Sequence, residues 1–283
     1  MPDEGADSAA MLRAQATDPG VRPDRRPVDE AETLLANRAD WDAYADDYQA
    51  SHGRFLGDAG FIWSPEGVDE GDVQLLGDVA GKRVLEIGCG AAQCARWLLD
   101  RGASPVGLDV SHRQLQHSRR IDLELGVTVP VVEASGSALP FADATFDTVF
   151  SAFGALQFLS DAPAAVAGVA RVLRPGGRFV FSITHPTRWM FPDDPSEEGL
   201  VASQSYFDRT PYVEVDDAGG QVRYVEHHRT LGDWVRALAG AGFCLLDLVE
   251  PEWPADHDRT WGGWSRTRGL LTPGTAIVVS RSA

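Results

Sequence analysis

The sequence predicts an α/β fold with a doubly wound, mostly parallel sheet of seven strands. Short apolar runs alternate along the chain with longer segments in which apolar residues recur every three or four positions. That alternation is typical of βαβ units, which build a parallel sheet covered by helices on both faces. The predicted strands are 83–88, 105–109, 129–133, 146–151, 178–183, 243–249 and 275–280.

The helices between these strands have recognisable ends. A helix over 91–101 is predicted directly after the first strand. Ser111 and Asp161 are suited to cap the helices after the second and fourth strands, because their side-chain oxygens accept hydrogen bonds from unpaired backbone amides. Pro175-Gly-Gly177 ends a helix and supplies the positive-φ turn into the fifth strand.

The beginning of the chain has a different composition. Residues 1–30 contain four prolines, seven acids and few large apolar side chains. Such a segment buries too little surface to offset its ordering entropy, so we expect residues 1–36 to be disordered. A single domain is expected over 37–283, beginning with a helical segment at 37–80.

The alternation breaks between the fifth and sixth strands. Residues 185–226 are rich in aromatic side chains, and the stretch 212–225 alternates in the pattern of a β-hairpin around a glycine-containing turn at 216–220. We interpret 185–226 as an inserted cap that could cover a substrate pocket and exclude water from it.

Two segments at successive strand ends are the most informative about function. The first is Arg83-Val-Leu-Glu-Ile-Gly-Cys-Gly90, and the second is Val106-Gly-Leu-Asp109. An apolar run that closes on glycines and opens into a helix forms a ligand crevice in α/β sheets. One carboxylate at the next strand end can accept hydrogen bonds from two vicinal ribose hydroxyls. Together the segments predict a nucleoside-type cofactor.

The glycine spacing favours a cofactor without phosphate. A dinucleotide fingerprint would place a third glycine at position 93, where this chain has Gln93. Glu86 lies inside the strand, where a buried carboxylate costs several kcal/mol, roughly, unless a partner neutralises it. A cationic ligand would do so. S-adenosylmethionine meets both conditions, and a nicotinamide-dependent oxidoreductase is the alternative that Gln93 and Glu86 oppose.

The first segment resembles the first motif of the class I S-adenosylmethionine-dependent methyltransferases, acid-x-Gly-x-Gly. Further segments resemble later motifs of the same family in the same order: Asp109, Ser135-Gly-Ser-Ala-Leu-Pro-Phe141, Phe146-Asp-Thr-Val-Phe-Ser151 and Val172-Leu-Arg-Pro-Gly-Gly177. The resemblance covers 37–283 and implies a Rossmann-like fold that ends in a strand pair. It also implies methyl transfer from S-adenosylmethionine to a small-molecule acceptor through N, O or S, with a non-catalytic binding module as the other possibility.

The resemblance implies roles for the residues of the first two strand ends. Gly88 and Gly90 would approach the methionyl end of the cofactor, where a Cβ would collide. Glu86 would lie near the ammonium group, and Asp109 would bind the ribose hydroxyls. Leu115 matches the apolar residue that packs on the adenine ring, although a core leucine fits the pattern as well.

Later positions are carried over in the same way. Ser135 stands where the family commonly has an aspartate that accepts a hydrogen bond from the adenine amino group; a serine hydroxyl can accept, more weakly. Gly136 would offer its amide to the ring. Ser151 and Phe153 lie where the family's chain meets the reacting methyl group.

Two further predictions concern the lid and the acceptor. Tyr44 and Tyr48 share a helical face with Trp41 and resemble the family's N-terminal lid, where an aromatic face can attract a sulfonium. The same stripe is also typical of core packing. His185 directly follows the fifth strand and is the candidate general base or substrate contact, against a hydrogen-bonded loop histidine.

Composition limits the partners. The chain has 283 residues and a formal net charge of −17, which argues against nucleic acid and against anionic membranes. No apolar run approaches the roughly 20 residues that span a bilayer. Three scattered cysteines without metal-ligand spacing predict a reduced, cytoplasmic protein without a metal site. The oligomeric state and the acceptor are left open.

Overall fold

The computed structural model describes residues 21–192, 194–217, 219–258, 260 and 264–283. The strands are β1 (Val21–Arg25), β2 (Arg83–Ile87), β3 (Ser104–Asp109), β4 (Val131–Glu133), β5 (Phe146–Ser151), β6 (Leu173–Thr184), β7 (Tyr212–Asp216), β8 (Val222–Glu226), β9 (Phe243–Val249) and β10 (Thr275–Ser282). The α-helices are α1 (Glu30–Leu56), α2 (Glu70–Val73), α3 (Gln93–Asp100), α4 (His112–Leu125), α5 (Ala162–Val172), α6 (Leu231–Gly240) and α7 (Arg266–Gly269).

The main sheet has seven strands in the order β4-β3-β2-β5-β6-β10-β9. Strand β2 pairs in parallel with both β3 and β5, so the strand order reverses on either side of it. Strand β10 is antiparallel to both β6 and β9. The predicted doubly wound sheet is confirmed, and its reversal point lies where ligands bind in open α/β sheets.

The sheet is buried on both faces, as a parallel sheet between helix layers requires. Leu85 and Ile87 of β2 point into the core beneath α5 and α6. Val84 of the same strand points into the opposite core, where it packs with Phe61 and Phe150. This alternation decides which face of the sheet each side chain of β2 points to.

Two predicted helix caps are confirmed. The Ser111 hydroxyl accepts a 3.1 Å hydrogen bond from the amide of Gln114 at the start of α4. The Asp161 carboxylate accepts a 2.9 Å hydrogen bond from the amide of Ala164 at the start of α5. These bonds satisfy backbone amides that lack partners within a helix.

The beginning of the chain differs from the prediction of disorder through residue 36. Strand β1 pairs antiparallel with β7, and α1 begins at Glu30, seven residues before the predicted boundary. Pro23 is compatible with β1 because this strand lies at the edge of a three-stranded sheet, β1-β7-β8. The hydrogen bonds that order the segment come from a partner almost 200 residues away, which local composition does not reveal. Residues 1–20 lie outside the described part of the chain.

The inserted hairpin packs against the N-terminal helix. Strands β7 and β8 match the predicted hairpin, and their valines form a small separate core with Ala36 of α1. Asn37 of α1 donates to the Val225 carbonyl at 3.0 Å and accepts from the Val225 amide at 2.8 Å. Helix α1 and the three-stranded sheet therefore form one roof over the main sheet. No helix of the described residues is long and apolar enough to cross a membrane.

Candidate functional site

A cavity opens at the carboxyl ends of β2, β3 and β5, beneath α1. Its floor is formed by the turns that follow these three strands, and one face of α1 forms its ceiling. The ceiling side chains recur at helical spacing: Thr33, Asn37, Trp41, Tyr48 and Phe55. The cavity therefore lies at the reversal point of the sheet, where the two informative sequence segments meet.

The turn after β2 requires glycine because of a close backbone approach. Gly88 has a φ of +73°, and a Cβ on it would lie 2.6 Å from the carbonyl carbon of Gly154. Gly90 has a φ of +51° and also lines the cavity. At Gly88 the collision that excludes a side chain is with the protein's own chain at Gly154, and not with a ligand as predicted from the sequence.

Asp109 is held in place by two backbone amides. Its Oδ2 accepts from Gly90 at 2.7 Å and its Oδ1 accepts from Ser111 at 2.8 Å. The side chain lines the cavity and is only 8% exposed, and this burial raises the pKa of the carboxyl. Each carboxylate oxygen has a second lone pair, so the group can still accept two hydrogen bonds from a ligand.

Glu86 is the second acid of the cavity. It is 3% exposed, and its Oε2 accepts a 3.1 Å hydrogen bond from the amide of Ala95 in α3. Burial raises the pKa of Glu86 to about 8, although the Cys94 thiol and the Ala95 amide oppose that rise. A cation beside Glu86 would favour its ionised form, because an opposite charge at short range stabilises a buried carboxylate.

The charges that line the cavity have one sign. Its acids are Glu30, Glu86 and Asp109. Within the described residues, no lysine, arginine or histidine lines it. A diphosphate in this cavity would meet carboxylates and no positively charged side chain, whereas a positively charged ligand would be attracted.

The part of the cavity beyond Asp109 contains Ser135 and Gly136. The Ser135 hydroxyl accepts a 3.1 Å hydrogen bond from the amide of Ser137. A Cβ on Gly136 would lie 3.0 Å from the Ile87 side chain. Leu115 is 2% exposed and packs in a core cluster with Ala92 and Val129, outside the lining of the cavity. For Leu115 the structure therefore favours the core alternative that the sequence left open.

The predicted lid residues divide into two groups. Tyr48 and Trp41 line the cavity, with their ring centroids 5.6 Å apart. Tyr44 lies outside the lining, where its ring packs 5.9 Å from that of Tyr48. Burial raises the pKa of the Tyr48 hydroxyl. Tyr44 thus packs against Tyr48 and does not line the cavity itself.

Ser151 and Phe153, both predicted to lie near the reacting methyl group, have different surroundings at the end of β5. Phe153 lines the cavity with a φ of +57°, and its amide donates a 2.7 Å hydrogen bond to the hydroxyl of Ser182. Ser151 is fully buried outside the lining, and its hydroxyl has no hydrogen-bond partner among the described residues. Phe153 and not Ser151 is therefore in a position to meet a ligand.

His185 lies outside the cavity lining. Its imidazole is buried and caps the short 3₁₀ turn Pro186–Met190 by accepting from the amide of Thr187 at 3.2 Å. The Nε2 atom lies 2.7 Å from the carboxylate of Glu250. Burial lowers the pKa of His185, while the Glu250 carboxylate opposes that shift. The geometry is that of a hydrogen-bonded loop histidine.

Several lining residues were not singled out from the sequence. Asn37 and Thr33 reach the cavity through α1, and Phe158 reaches it from the turn after β5. Ser64 reaches it from a loop between α1 and α2. A helical aromatic spacing indicated Trp41, but no sequence pattern marks a buried loop serine. Across the residues with described structure, no group of three or more histidines, cysteines or acids has the arrangement of a metal site.

The strand-end part of this site lies in a stretch that is similar to known proteins. A family model described as a methyltransferase domain matches residues 85–181, which run from β2 into β6. Over these residues the chain is similar to the methyltransferase domain of S-adenosylmethionine-dependent methyltransferases. The fold is similar to the crystal structure of an S-adenosylmethionine-dependent methyltransferase from Mesorhizobium loti, with a TM-score of 0.59 and 28% identity over 74% of this chain and 94% of that chain.

Two curated relatives are similar over shorter stretches. The demethylmenaquinone methyltransferase of Tropheryma whipplei is 35% identical over 121 residues, which are 42% of this chain and 49% of that protein. The ubiquinone biosynthesis O-methyltransferase of Alkalilimnicola ehrlichii is 34% identical over 121 residues, with the same two shares. The matched stretches thus span about half the length of these relatives.

Proposed function

We propose that this protein transfers a methyl group from S-adenosylmethionine to a small molecule with an aromatic or otherwise apolar body. The observation that carries the proposal is that Glu86 and Asp109 line one cavity at adjacent strand ends, and no described basic side chain lines it. Such a cavity suits a ligand that is positively charged and has no phosphate.

The described residues have complementary roles in holding the cofactor. Asp109, already oriented by two amides, would accept hydrogen bonds from the ribose hydroxyls. Glu86 would face the ammonium group and become ionised beside it. Gly88 and Gly90 leave the floor without side chains, so a ligand can lie close to the backbone. When bound, S-adenosylmethionine supplies a methyl group on a positively charged sulfur, and the lone pair of an acceptor attacks the methyl carbon in line while the sulfur leaves.

The aromatic side chains that line the cavity favour an apolar or aromatic acceptor. Trp41 lines the cavity between Tyr48 and Phe158, with ring centroids 5.6 Å and 5.8 Å away. Aromatic rings bury large apolar areas and pair with other rings. The quinone-related names of the two curated relatives favour the same class of acceptor. The atom that receives the methyl group is left open.

The roof would contribute by positioning the reactants and excluding water. Helix α1 covers the cavity, and the three-stranded sheet packs on α1 through its valine core. Orientation of two reactants in a closed site can supply about 7–11 kcal/mol of the barrier reduction. A role of His185 as general base would need an acceptor that extends beyond the lining, so the proposal does not depend on it.

The experiment combines binding with transfer. The full chain is incubated with S-adenosylmethionine labelled in its methyl group and a panel of phenols, catechols, quinols, aromatic amines and thiols. Calorimetry with S-adenosylhomocysteine and with NAD runs in parallel. We expect tight binding of S-adenosylhomocysteine and transfer of label to at least one aromatic acceptor. Binding of NAD alone would overturn the proposal, and binding of S-adenosylhomocysteine without transfer across the panel would support the non-catalytic module.

A further inference from the structure

The Asp42 carboxylate of α1 meets the first turn of α4. Its Oδ1 accepts a hydrogen bond from the Ser111 hydroxyl at 2.7 Å and another from the Arg113 amide at 2.9 Å. Ser111 is the N-cap of α4, and Arg113 is its second residue. The first amides of a helix lack partners within it and carry partial positive charge, so a carboxylate stabilises them. Asp42 therefore caps α4 from 69 residues away in the chain.

Ser111 connects Asp42 to the acid of the proposed ribose contact. Its amide donates to Asp109 Oδ1 at 2.8 Å, while its hydroxyl donates to Asp42 and accepts from the Gln114 amide at 3.1 Å. Ser111 is fully buried. Burial raises the pKa of Asp109, and the charge of Asp42 adds to that rise, so the two carboxylates lie within electrostatic range of each other. One buried serine is therefore bonded to both α1 and Asp109.

Helix α1 also covers the cavity in which Asp109 would bind the ribose. Trp41, directly before Asp42, and Tyr48 line the cavity from α1. Asp109 lines it from the end of β3 and is only 8% exposed. A ribose at Asp109 would therefore lie beneath α1, close to the point where Asp42 and Ser111 join this helix to α4.

We propose that Asp42 is a positioning residue that couples docking of α1 to binding of the cofactor ribose at Asp109. The inference rests on the proposed function and deepens it. When α1 is docked, Asp42 holds Ser111, and the Ser111 amide holds the Asp109 carboxylate in the orientation that accepts two ribose hydroxyls. Coupling between two sites is reciprocal, so a ribose bound at Asp109 stabilises the docked position of α1 by the same factor.

Asp46 is the matched control for Asp42. It lies one turn later on α1 and also bonds to Arg113, but through the side chain: Asp46 accepts from Nε at 3.0 Å and from Nη2 at 2.9 Å. A third contact joins it to His117 Nε2 at 2.7 Å. The side chains of Arg113 and Asp46 are 48% and 58% exposed, and exposed ion pairs contribute little. Asp46 thus fastens α1 to the surface of α4, away from the buried Ser111.

The test is calorimetry on the full chain with two ligands: S-adenosylhomocysteine and an analogue of it that lacks both ribose hydroxyls. Asp42→Ala is expected to bind S-adenosylhomocysteine about five- to tenfold more weakly, the low end of coupling between sites. Its affinity for the analogue should equal that of the wild type, because the analogue makes no hydrogen bond to Asp109. Asp46→Ala should stay within about twofold of the wild type for both ligands.

Two further variants test the path through Ser111. Asp42→Asn should restore most of the affinity for S-adenosylhomocysteine, because its amide oxygen can accept both hydrogen bonds that Oδ1 accepts. Ser111→Ala removes the hydroxyl and keeps the amide that Asp109 needs. If Asp42 acts through this hydroxyl, Asp42→Ala adds little to the loss in Ser111→Ala, whereas independent losses would multiply. Multiplied losses would overturn the path.

Amide hydrogen exchange measures the reciprocal effect. S-adenosylhomocysteine is expected to slow exchange in α1 of the wild type and of Asp46→Ala, and to slow it less in Asp42→Ala.

Two results would overturn the coupling. Wild-type affinity in Asp42→Ala would do so, and so would an equal loss for both ligands, since Asp42 would then only anchor α1. Urea unfolding checks that each variant is folded, and Ser111→Ala gives the same comparison of ligands if Asp42→Ala does not fold. The proposed function fails separately, by absence of S-adenosylhomocysteine binding in the wild type.

Discussion

Gly88 and Gly154 approach each other so closely that neither can carry a side chain. A Cβ on Gly88 would lie 2.6 Å from the Gly154 carbonyl carbon, and a Cβ on Gly154 would collide with the Gly88 carbonyl oxygen. The contact joins the turn after β2 to the turn after β5, which form two sides of the cavity floor. Gly88, in the first motif, therefore allows the turn after β2 and the turn after β5 to lie this close together.

This contact predicts unequal effects of two matched substitutions. Gly88 and Gly102 have φ values of +73° and +75°, but no described atom lies within 4 Å of a Cβ added at Gly102. Gly102→Ala should lower the free energy of unfolding by about 1–2 kcal/mol, because a residue with a Cβ is strained in the left-handed conformation. Gly88→Ala should lower the free energy of unfolding in urea by clearly more, because the backbone at Gly154 must also move. Equal losses would contradict the collision.

Asp109→Ala is expected to weaken binding of S-adenosylhomocysteine at least tenfold in calorimetry, because a charge-assisted pair of acceptors is lost. Glu133→Gln is the control: Glu133 ends the next strand, β4, but is exposed and paired with Arg38 and His112. Its affinity should equal that of the wild type. Unchanged affinity in a folded Asp109→Ala variant would mean that the ribose lies elsewhere.

Binding of S-adenosylmethionine is expected to release a proton from Glu86. Without ligand its pKa is about 8, so the carboxyl is largely protonated at pH 6.5, whereas a cationic ligand favours the ionised form. Affinity should therefore rise with pH toward 8, by at most tenfold per pH unit. Glu86→Gln should bind S-adenosylmethionine more weakly, and its affinity should not rise with pH in this way. Because the ligand's own groups titrate equally with both proteins, the difference between wild type and variant reports on Glu86. Calorimetric heats that do not vary with the buffer would argue against proton release.

Glu86 should also make stability depend on pH. Its folded pKa of about 8 exceeds the ordinary value of 4.5, so the folded protein binds more protons than the unfolded chain between these values. The free energy of unfolding should fall as pH rises through this window, by up to about 1.4 kcal/mol per pH unit from this group. Urea unfolding of Glu86→Gln should show a shallower slope. A slope identical to that of the wild type would mean that Glu86 is ionised in the folded protein.

His185→Ala is expected to lower stability and leave affinity for S-adenosylhomocysteine unchanged. Both ring nitrogens are engaged, one by the Thr187 amide and hydroxyl and the other by Glu250. Loss of a capping side chain lowers the free energy of unfolding by about 0.5–2 kcal/mol. Urea unfolding and calorimetry measure the two quantities. A variant of wild-type stability whose turnover falls sharply would instead support the acceptor contact predicted from the sequence.

Much of the fold was predictable because its signals are local. Alternating strands and helices, the caps at Ser111 and Asp161, and the hairpin at 212–225 each depend on neighbouring residues. Two acids of the cavity, Glu86 and Asp109, were also predictable, because the carboxyl ends of parallel strands meet at one edge of a sheet. The strand at 21–25 was not predicted, since it is held by pairing with β7, almost 200 residues away.

The sequence by itself determined the sheet, the glycine turn and the two acids at adjacent strand ends, because strand period and motif spacing are properties of contiguous residues. Only the tertiary structure decided which side chains face the cavity. It placed Leu115 in the core and His185 against Glu250, and it brought Ser64 to the cavity wall. These outcomes depend on packing between segments far apart in the chain, and no local pattern encodes the direction in which a loop side chain points.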